Sequence, residues 1–358
     1  MHYLHLLSAF AGEVWAIEPV KLSAIVEFLT FKARGGQLSD EEIAARVDGR
    51  TAAATARKEG DVAVMPLVGL ISPRADLVAG SSTGGGVTAD SFGQRFDAYA
   101  QDDTVKAIVM DVHSPGGNSY GLEALAAKIR AARGSKPIIA QVNSQAASGA
   151  YWIASQADEI VLTPGAEAGS IGAYTVHEDI SEALAKEGVK PTLIKAGEHK
   201  AELINFMPLS EAAREATQKR VTEAYRAFVG DVAKGRGVTA GQVEDRMGQG
   251  RVFGPKELIE RGMADRIATL DETLARLGAA RGPRAQQRSR ETFAAGETPS
   301  LATVEEVLRD AGFPRALALD FVSQGKSAFR RSESGAETIA DTASAVRAAA
   351  AALAGLRG

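Results

Sequence analysis

Residues 144–155 read SQAASGAYWIAS and place Ser148 directly before Gly149. A serine hydroxyl attacks a carbonyl only when a base takes its proton and hydrogen-bond donors receive the developing oxyanion. Ser148 follows the apolar stretch KPIIAQVN (136–143) and precedes an apolar turn, so it falls where a strand passes into a helix. The first N–H groups of a helix have no intrahelical partner and lie at its positive end. The N–H of Gly149 is therefore a candidate oxyanion donor. The stretch is not a GxSxG turn, because Ala146 stands at the first glycine position. A small residue chosen for packing, or a simple N-cap, satisfies the same twelve residues, and the stretch alone leaves both readings open.

Two other stretches bear on the choice. HSPGGN (113–118) closes the apolar run VKAIVMDV (105–112), at the carboxyl end of a strand, where open α/β sheets place their ligands. Gly116 and Gly117 allow a backbone N–H to face a bound carbonyl without side-chain interference; a plain strand-to-helix turn has the same composition. KAGEHKAE (195–202) offers Lys200 as a base. A lysine serves that role when burial lowers its pKa from about 10.4 toward neutrality, and a solvated, charged strand end is the alternative. Of the five histidines, His177 lies in TVHEDI beside Glu178 and reads as a surface residue, as does His199 beside Lys200. His113 precedes SPGG and is expected to point away from the groove.

The elements that must carry these residues follow from periodicity. DVAVMPLVGLIS (61–72), VKAIVMDV, KPIIAQVN and DEIVLTP (158–164) read as buried strands; LEALAAKIRAAR (122–133) and a segment near 178–187 read as helices, and PTLIKA (191–196) as a further strand. Strands alternating with helices predict an α/β fold with a parallel sheet and right-handed crossovers. LSEAAREATQKRVTEAYRAFVGDVAKGRG (209–237) predicts a long amphipathic helix with Leu209, Ala213, Ala216, Val221, Ala224 and Phe228 on one stripe. Residues 1–60 read as a helical segment containing a capping box, Ser39 with Glu42. ADLVAGSSTGGGVTADSF (75–92) is a Gly/Ser loop, either a lid or a connector. Residues 61–275 form the expected catalytic domain, 276–300 a polar linker, and 301–358 a small helical tail, either scaffold-like or a target of self-cleavage.

At 358 residues with 45% hydrophobic and 24% charged side chains, the chain has the composition of a globular protein with a sizeable core. A net charge of −4 gives no pull toward nucleic acid or anionic lipid. The absence of cysteine removes thiol nucleophiles, disulfides and thiolate metal sites, and no HExxH spacing occurs, so neither a metal nor a cofactor is expected. The N-terminus lacks a basic region and Glu13 interrupts its apolar stretch, which makes a poor secretory signal. No apolar run reaches the length of a membrane span. A cytoplasmic location is the expectation.

The order SPGG, AASGAYWIA, GSIGAY, GEHK and GRVFGPKELIERGMAD, over roughly residues 60–270, resembles the signal peptide peptidase A family, serine peptidases of the Clp-protease/crotonase superfamily. WAIEP near the start and the tailed C-terminus resemble the phage branch, the prohead or capsid assembly proteases. The resemblance implies Ser148 as nucleophile, with Ala150 in place of the usual second glycine, and Lys200 as general base. It implies Gly117 and Gly149 as oxyanion donors, and Gly116, Gly169, Ser170 and Gly172 as shaping the substrate groove. The implied function is a Ser–Lys endopeptidase that processes capsid, scaffold or portal proteins. Family serine and lysine motifs can meet across a subunit boundary, so a ring-like homo-oligomer is expected. The Ala, Gly and Tyr151 around Ser148 suggest a groove for small or apolar side chains. A bacterial cytosolic peptidase of the same family, a crotonase-like acyl-CoA enzyme and a non-catalytic assembly scaffold are the alternatives.

Overall fold

The computed structural model describes residues 13–19, 21–23, 26–27, 56–73 and 86–279. The capping box at Ser39, most of the N-terminal helical segment, residues 75–85 of the Gly/Ser loop, the linker beyond 279 and the C-terminal tail lie outside the described residues.

The strands are, in chain order, β1 (Trp15–Ile17), β2 (Arg57–Glu59), β3 (Val62–Val68), β4 (Ile71–Ser72), β5 (Val87–Thr88), β6 (Ala107–Ser114), β7 (Gly116–Asn118), β8 (Ile138–Ala147), β9 (Glu159–Leu162), β10 (Glu167–Gly169), β11 (Val252–Phe253) and β12 (Arg266–Ile267). The helices are α1 (Ala89–Gln101), α2 (Leu122–Ala131), α3 (Gly149–Ala154), α4 (Ser181–Lys186), α5 (Glu211–Arg236), α6 (Ala240–Arg246), α7 (Pro255–Glu260) and α8 (Leu270–Arg276). Strands β3, β6, β8 and β10 run parallel, with antiparallel β2 and β11 at the two ends. The first half of β8 also pairs with β9, which in turn pairs with β12. This is the predicted α/β sheet: α1, α2 and α3 are the crossovers between successive central strands. A second, four-stranded sheet has the order β1-β7-β4-β5.

The central strands read as apolar runs because both of their faces are covered. In β3, Ala63, Met65 and Leu67 face the larger core with Phe92, Phe96, Ile129 and Trp152, while Val62 and Val64 face a smaller cluster closed by Leu274 of α8. Helix starts follow local chemistry: the Thr88 hydroxyl accepts from the Ser91 N–H (3.1 Å), and the Ser210 hydroxyl from the Ala213 N–H (3.2 Å). Gly237, at φ 67°, ends α5.

Three elements differ from the sequence-based expectation. Within the expected helical segment 1–60, Trp15–Ile17 and Arg57–Glu59 are strands, because β7 and β3 offer them edges to pair with. Residues 191–196 form no strand; they run exposed, with Ile194 92% accessible. A short apolar stretch becomes a strand only where a sheet edge receives it, and none pairs with PTLIKA. In α5 it is mainly the second half that packs into the core: Phe228, Val229 and Val232 are buried there, whereas in the first half Ala213 is buried but Ala216 of the expected stripe is exposed.

That second half fixes α3. The Trp152 indole stacks on Phe228 with centroids 4.6 Å apart, and its Nε1 donates to Asp231 Oδ2 (3.0 Å). Arg130 of α2 donates to Asp231 Oδ1 (3.2 Å) and to Gln156 Oε1 (2.6 Å), so the buried carboxylate is paired from two sides. Replacing the fully buried Phe228 with Ala should cost about 3–5 kcal/mol in urea unfolding; a cost below about 1 kcal/mol would show that this stack does not hold α3.

Candidate active site

Strand β8 ends at Ala147 and α3 begins at Gly149, so one residue, Ser148, makes the whole reversal. Its backbone takes φ 53° and ψ −120°, a sparsely populated region for a residue with a Cβ. The turn is clamped at both ends: the Ser148 N–H donates to the Gly169 carbonyl (2.7 Å), and the Ser148 carbonyl accepts from the Trp152 N–H (2.9 Å). Ser148 is 1% exposed. A sharp, strained strand-to-helix turn is the device that presents a catalytic serine at the top of a sheet, and it is built here without the first glycine of the usual motif.

Gly116 and Gly117 come to the same point. A Cβ on Gly116 would sit 2.9 Å from both the Gly149 nitrogen and the Ala147 carbonyl oxygen. A Cβ on Gly117 would run into the Ile71 carbonyl, and one on Gly149 would lie 3.5 Å from the Gly117 nitrogen. Only hydrogen fits at these positions, and as a result the Gly117 and Gly149 N–H groups stand side by side beside Ser148. As the first residue of α3, Gly149 has no intrahelical acceptor for its N–H. Ser114 stabilises the approach: its hydroxyl donates to the Gly69 carbonyl (2.7 Å) and accepts from the Gly116 N–H (3.1 Å).

The GSIG stretch lies on the opposite side of Ser148. Gly169 pairs with Ala147 in the parallel ladder β8-β10 and takes φ 121°; Ser170 takes φ 57° and its N–H donates to the Arg251 carbonyl (2.7 Å). Gly172 and Tyr174 follow along the site's rim. The Tyr174 hydroxyl is buried without a hydrogen-bond partner among the described residues. Burial, and then the Glu18 carboxylate, push its pKa up to about 12, so it is a neutral donor at ordinary pH.

The structure thus brings together Ser148, Gly149, Gly116, Gly117, Gly169 and Ser170. It does not bring Lys200 to them. Lys200 sits on an exposed turn, with its N–H donating to the Gly197 carbonyl (3.3 Å), and makes no hydrogen bond to Ser148 among the described residues. Among the described residues no histidine replaces it. The Nε2 of His177 lies 3.3 Å from the Met207 carbonyl, His199 Nδ1 lies 2.5 Å from Glu202, and His113 contacts Ser144. Tyr151, expected to line the groove, is fully buried in the core and donates to the Met263 carbonyl (2.9 Å). All six residues of α3 are buried, so Tyr151 packs inward with the rest of the helix.

The WAIEP stretch, noted in the sequence only as a resemblance, takes part in the site as a strand. Strand β1 lies across the site, with Ala16 opposite Gly117 and Ile17 opposite Gly116. Its three residues carry no catalytic side chain, and three apolar residues are too few to mark a strand by pattern.

The peptidase family S49 profile matches residues 130–282. The chain is 28% identical to Protease 4 of Haemophilus influenzae over 211 residues, 58% of this chain and 34% of that protein. It is 28% identical to capsid assembly protease C of Escherichia phage lambda over 280 residues, 72% of this chain and 62% of that protein. Among solved structures, a 1510-N membrane protease specific for a stomatin homolog from Pyrococcus horikoshii aligns at 16% identity with a TM-score of 0.35, over 60% of this chain and 76% of that one. The chain therefore spans about a third of Protease 4 and less than two thirds of the phage protein.

The strain at Ser148 is measurable. Ser148→Gly removes the Cβ that disfavours φ 53°, whereas Ser148→Ala keeps it. The glycine variant should be the more stable of the two by about 1 kcal/mol or more in thermal unfolding. Equal stability would mean that the turn carries no strain.

Proposed function

We propose, from the match of residues 130–282 to the peptidase family S49 profile, that this chain is a serine endopeptidase with Ser148 as nucleophile and Lys200 as base. The observation that supports it best is the strained Ser148 turn with the Gly117 and Gly149 N–H groups beside it. Neutral Lys200 takes the Ser148 proton as Oγ attacks the scissile carbonyl. The oxyanion rests on the two N–H groups. The protonated lysine then gives its proton to the departing amine, and water hydrolyses the acyl-serine through the same base.

Lys200 has to be carried to a buried serine. The exposed run from Val176 to Met207 includes Val189 and Ile194, large apolar side chains facing solvent beside the lysine turn. Exposed apolar side chains clustered in one region favour a partner surface. On this reading a second copy covers that surface, and Lys200 of one copy completes the site of the next, in a homo-oligomer. Relatives that include a capsid assembly protease favour capsid, scaffold or portal proteins as substrates. Among the described residues no helix is long and apolar enough to cross a membrane.

Cleavage of a capsid or scaffold protein, followed by mass spectrometry, checks the assignment. Ser148→Ala and Lys200→Ala should each lower the rate by about 10³-fold or more, and His177→Ala should change it little. Mixing the two inactive variants should restore cleavage if the pair forms between copies. Loss of activity in His177→Ala with retention in Lys200→Ala would sink the Ser–Lys pair.

A further inference from the structure

Strand β1 lies along the front of Ser148. Its ladder to β7 is antiparallel, with the Glu18 N–H donating to the Pro115 carbonyl (3.0 Å) and the Ser119 N–H to the Val14 carbonyl (3.1 Å). In an antiparallel ladder hydrogen-bonded pairs alternate. Ala16 and Gly117 lie midway between those two bonds and are the next such pair, so the Gly117 N–H points at the Ala16 carbonyl. The same carbonyl oxygen lies 3.1 Å from where a Cβ on Gly149 would stand. It therefore lies beside both of the proposed oxyanion donors.

The other edge of β1 is held as well. Trp15 exchanges both backbone hydrogen bonds with Tyr174, N–H to carbonyl at 2.8 Å and the reverse at 3.0 Å. An extended segment gripped on both edges, with one carbonyl in the oxyanion position, is how a protease holds a peptide by strand addition. Side chains lock it further: Ser119 Oγ donates to the Val14 carbonyl (2.8 Å), Thr175 Oγ1 to the Glu13 carbonyl (2.8 Å), and Asn118 Nδ2 to the Glu13 carboxylate. Trp15, Ala16 and Ile17 are 4%, 0% and 1% exposed.

We propose that residues Val14–Glu18 are a resident, substrate-like strand that closes the groove to other peptides, and that they mark what the groove accepts. The accepted peptide is an extended segment with alanine, or a residue as small, at the carbonyl that Ser148 attacks, flanked by apolar side chains. This rests on the peptidase reading of Ser148. A tethered strand has an effective concentration in the millimolar range, so an outside peptide competes poorly until the strand leaves.

The test measures binding in a chain that cannot cleave, so it does not depend on Lys200 or on turnover. A fluorescein-labelled peptide of residues 12–19 is titrated into the full chain carrying Ser148→Ala, and into the chain carrying Ser148→Ala with Trp15→Pro. Proline removes the N–H donated to Tyr174 and breaks the strand. Fluorescence polarisation should show at least tenfold tighter binding to the double variant. Equal, weaker or absent binding, with the near-ultraviolet signal of the buried Trp152 intact, overturns the proposal. If proline unfolds the chain, Ser119→Ala with Thr175→Val loosens the strand without touching its ladder and should tighten peptide binding about two- to fivefold; no gain there overturns it equally. Loss of cleavage by Ser148→Ala tests the peptidase reading separately.

Discussion

The structure depends on one backbone constraint: β8 must become α3 across a single residue that is not glycine. At φ 53° that residue is disfavoured by about 1–3 kcal/mol, and a turn of this kind persists only where its surroundings leave no alternative. The clamps are visible. The Gly169 carbonyl holds the Ser148 N–H, and Trp152 closes the first turn of α3 onto the Ser148 carbonyl. Trp152 is in turn immobilised by Phe228 and Asp231 of α5, and Tyr151 by the Met263 carbonyl. The polar network around Asp231, far from Ser148 in sequence, is thus part of what presents the serine.

The second consequence is that the site is made largely of main chain. Gly116, Gly117 and Gly149 have no room for a Cβ, and the closeness that excludes side chains is what exposes the N–H groups. A cradle of backbone donors recognises backbone. On the proposed reading it takes a substrate strand by the same kind of hydrogen bonds with which it holds β1. Occupation of the groove by the chain's own residues therefore needs no special inhibitory element, only a short extended segment of suitable size near the N-terminal side of the domain.

Much of this was legible in the sequence where a feature is local. The alternation of apolar runs and helical stripes located β3, β6, β8, α2 and α5, because strands covered on both faces cannot be polar. Ser148 and the glycine pairs were legible as motifs because their backbone demands restrict the residue types allowed. What escaped was non-local. PTLIKA has the composition of a strand, yet no edge is offered to it. Tyr151 lies three residues from Ser148, yet the whole of α3 is buried and its hydroxyl bonds to the Met263 carbonyl, more than a hundred residues away. Trp15–Ile17 acquires its meaning only from Gly117 and Tyr174, more than a hundred residues away.

These features separate the site into a finished half and an unfinished one. The oxyanion donors and the serine turn are set by the core of a single chain and are rigid for the reasons above. The lysine lies on an exposed segment, outside that core. Desolvation is what makes a lysine a base, and residues 195–202 need a covering surface to supply it. The resident strand is held by hydrogen bonds at its edges, by Ser119 and Thr175 at the rim, and by Ala16, which packs in the core. On the proposed reading, the two barriers to cleavage are a distant base and a filled groove. On that reading the serine stays inert until the strand leaves and a base arrives.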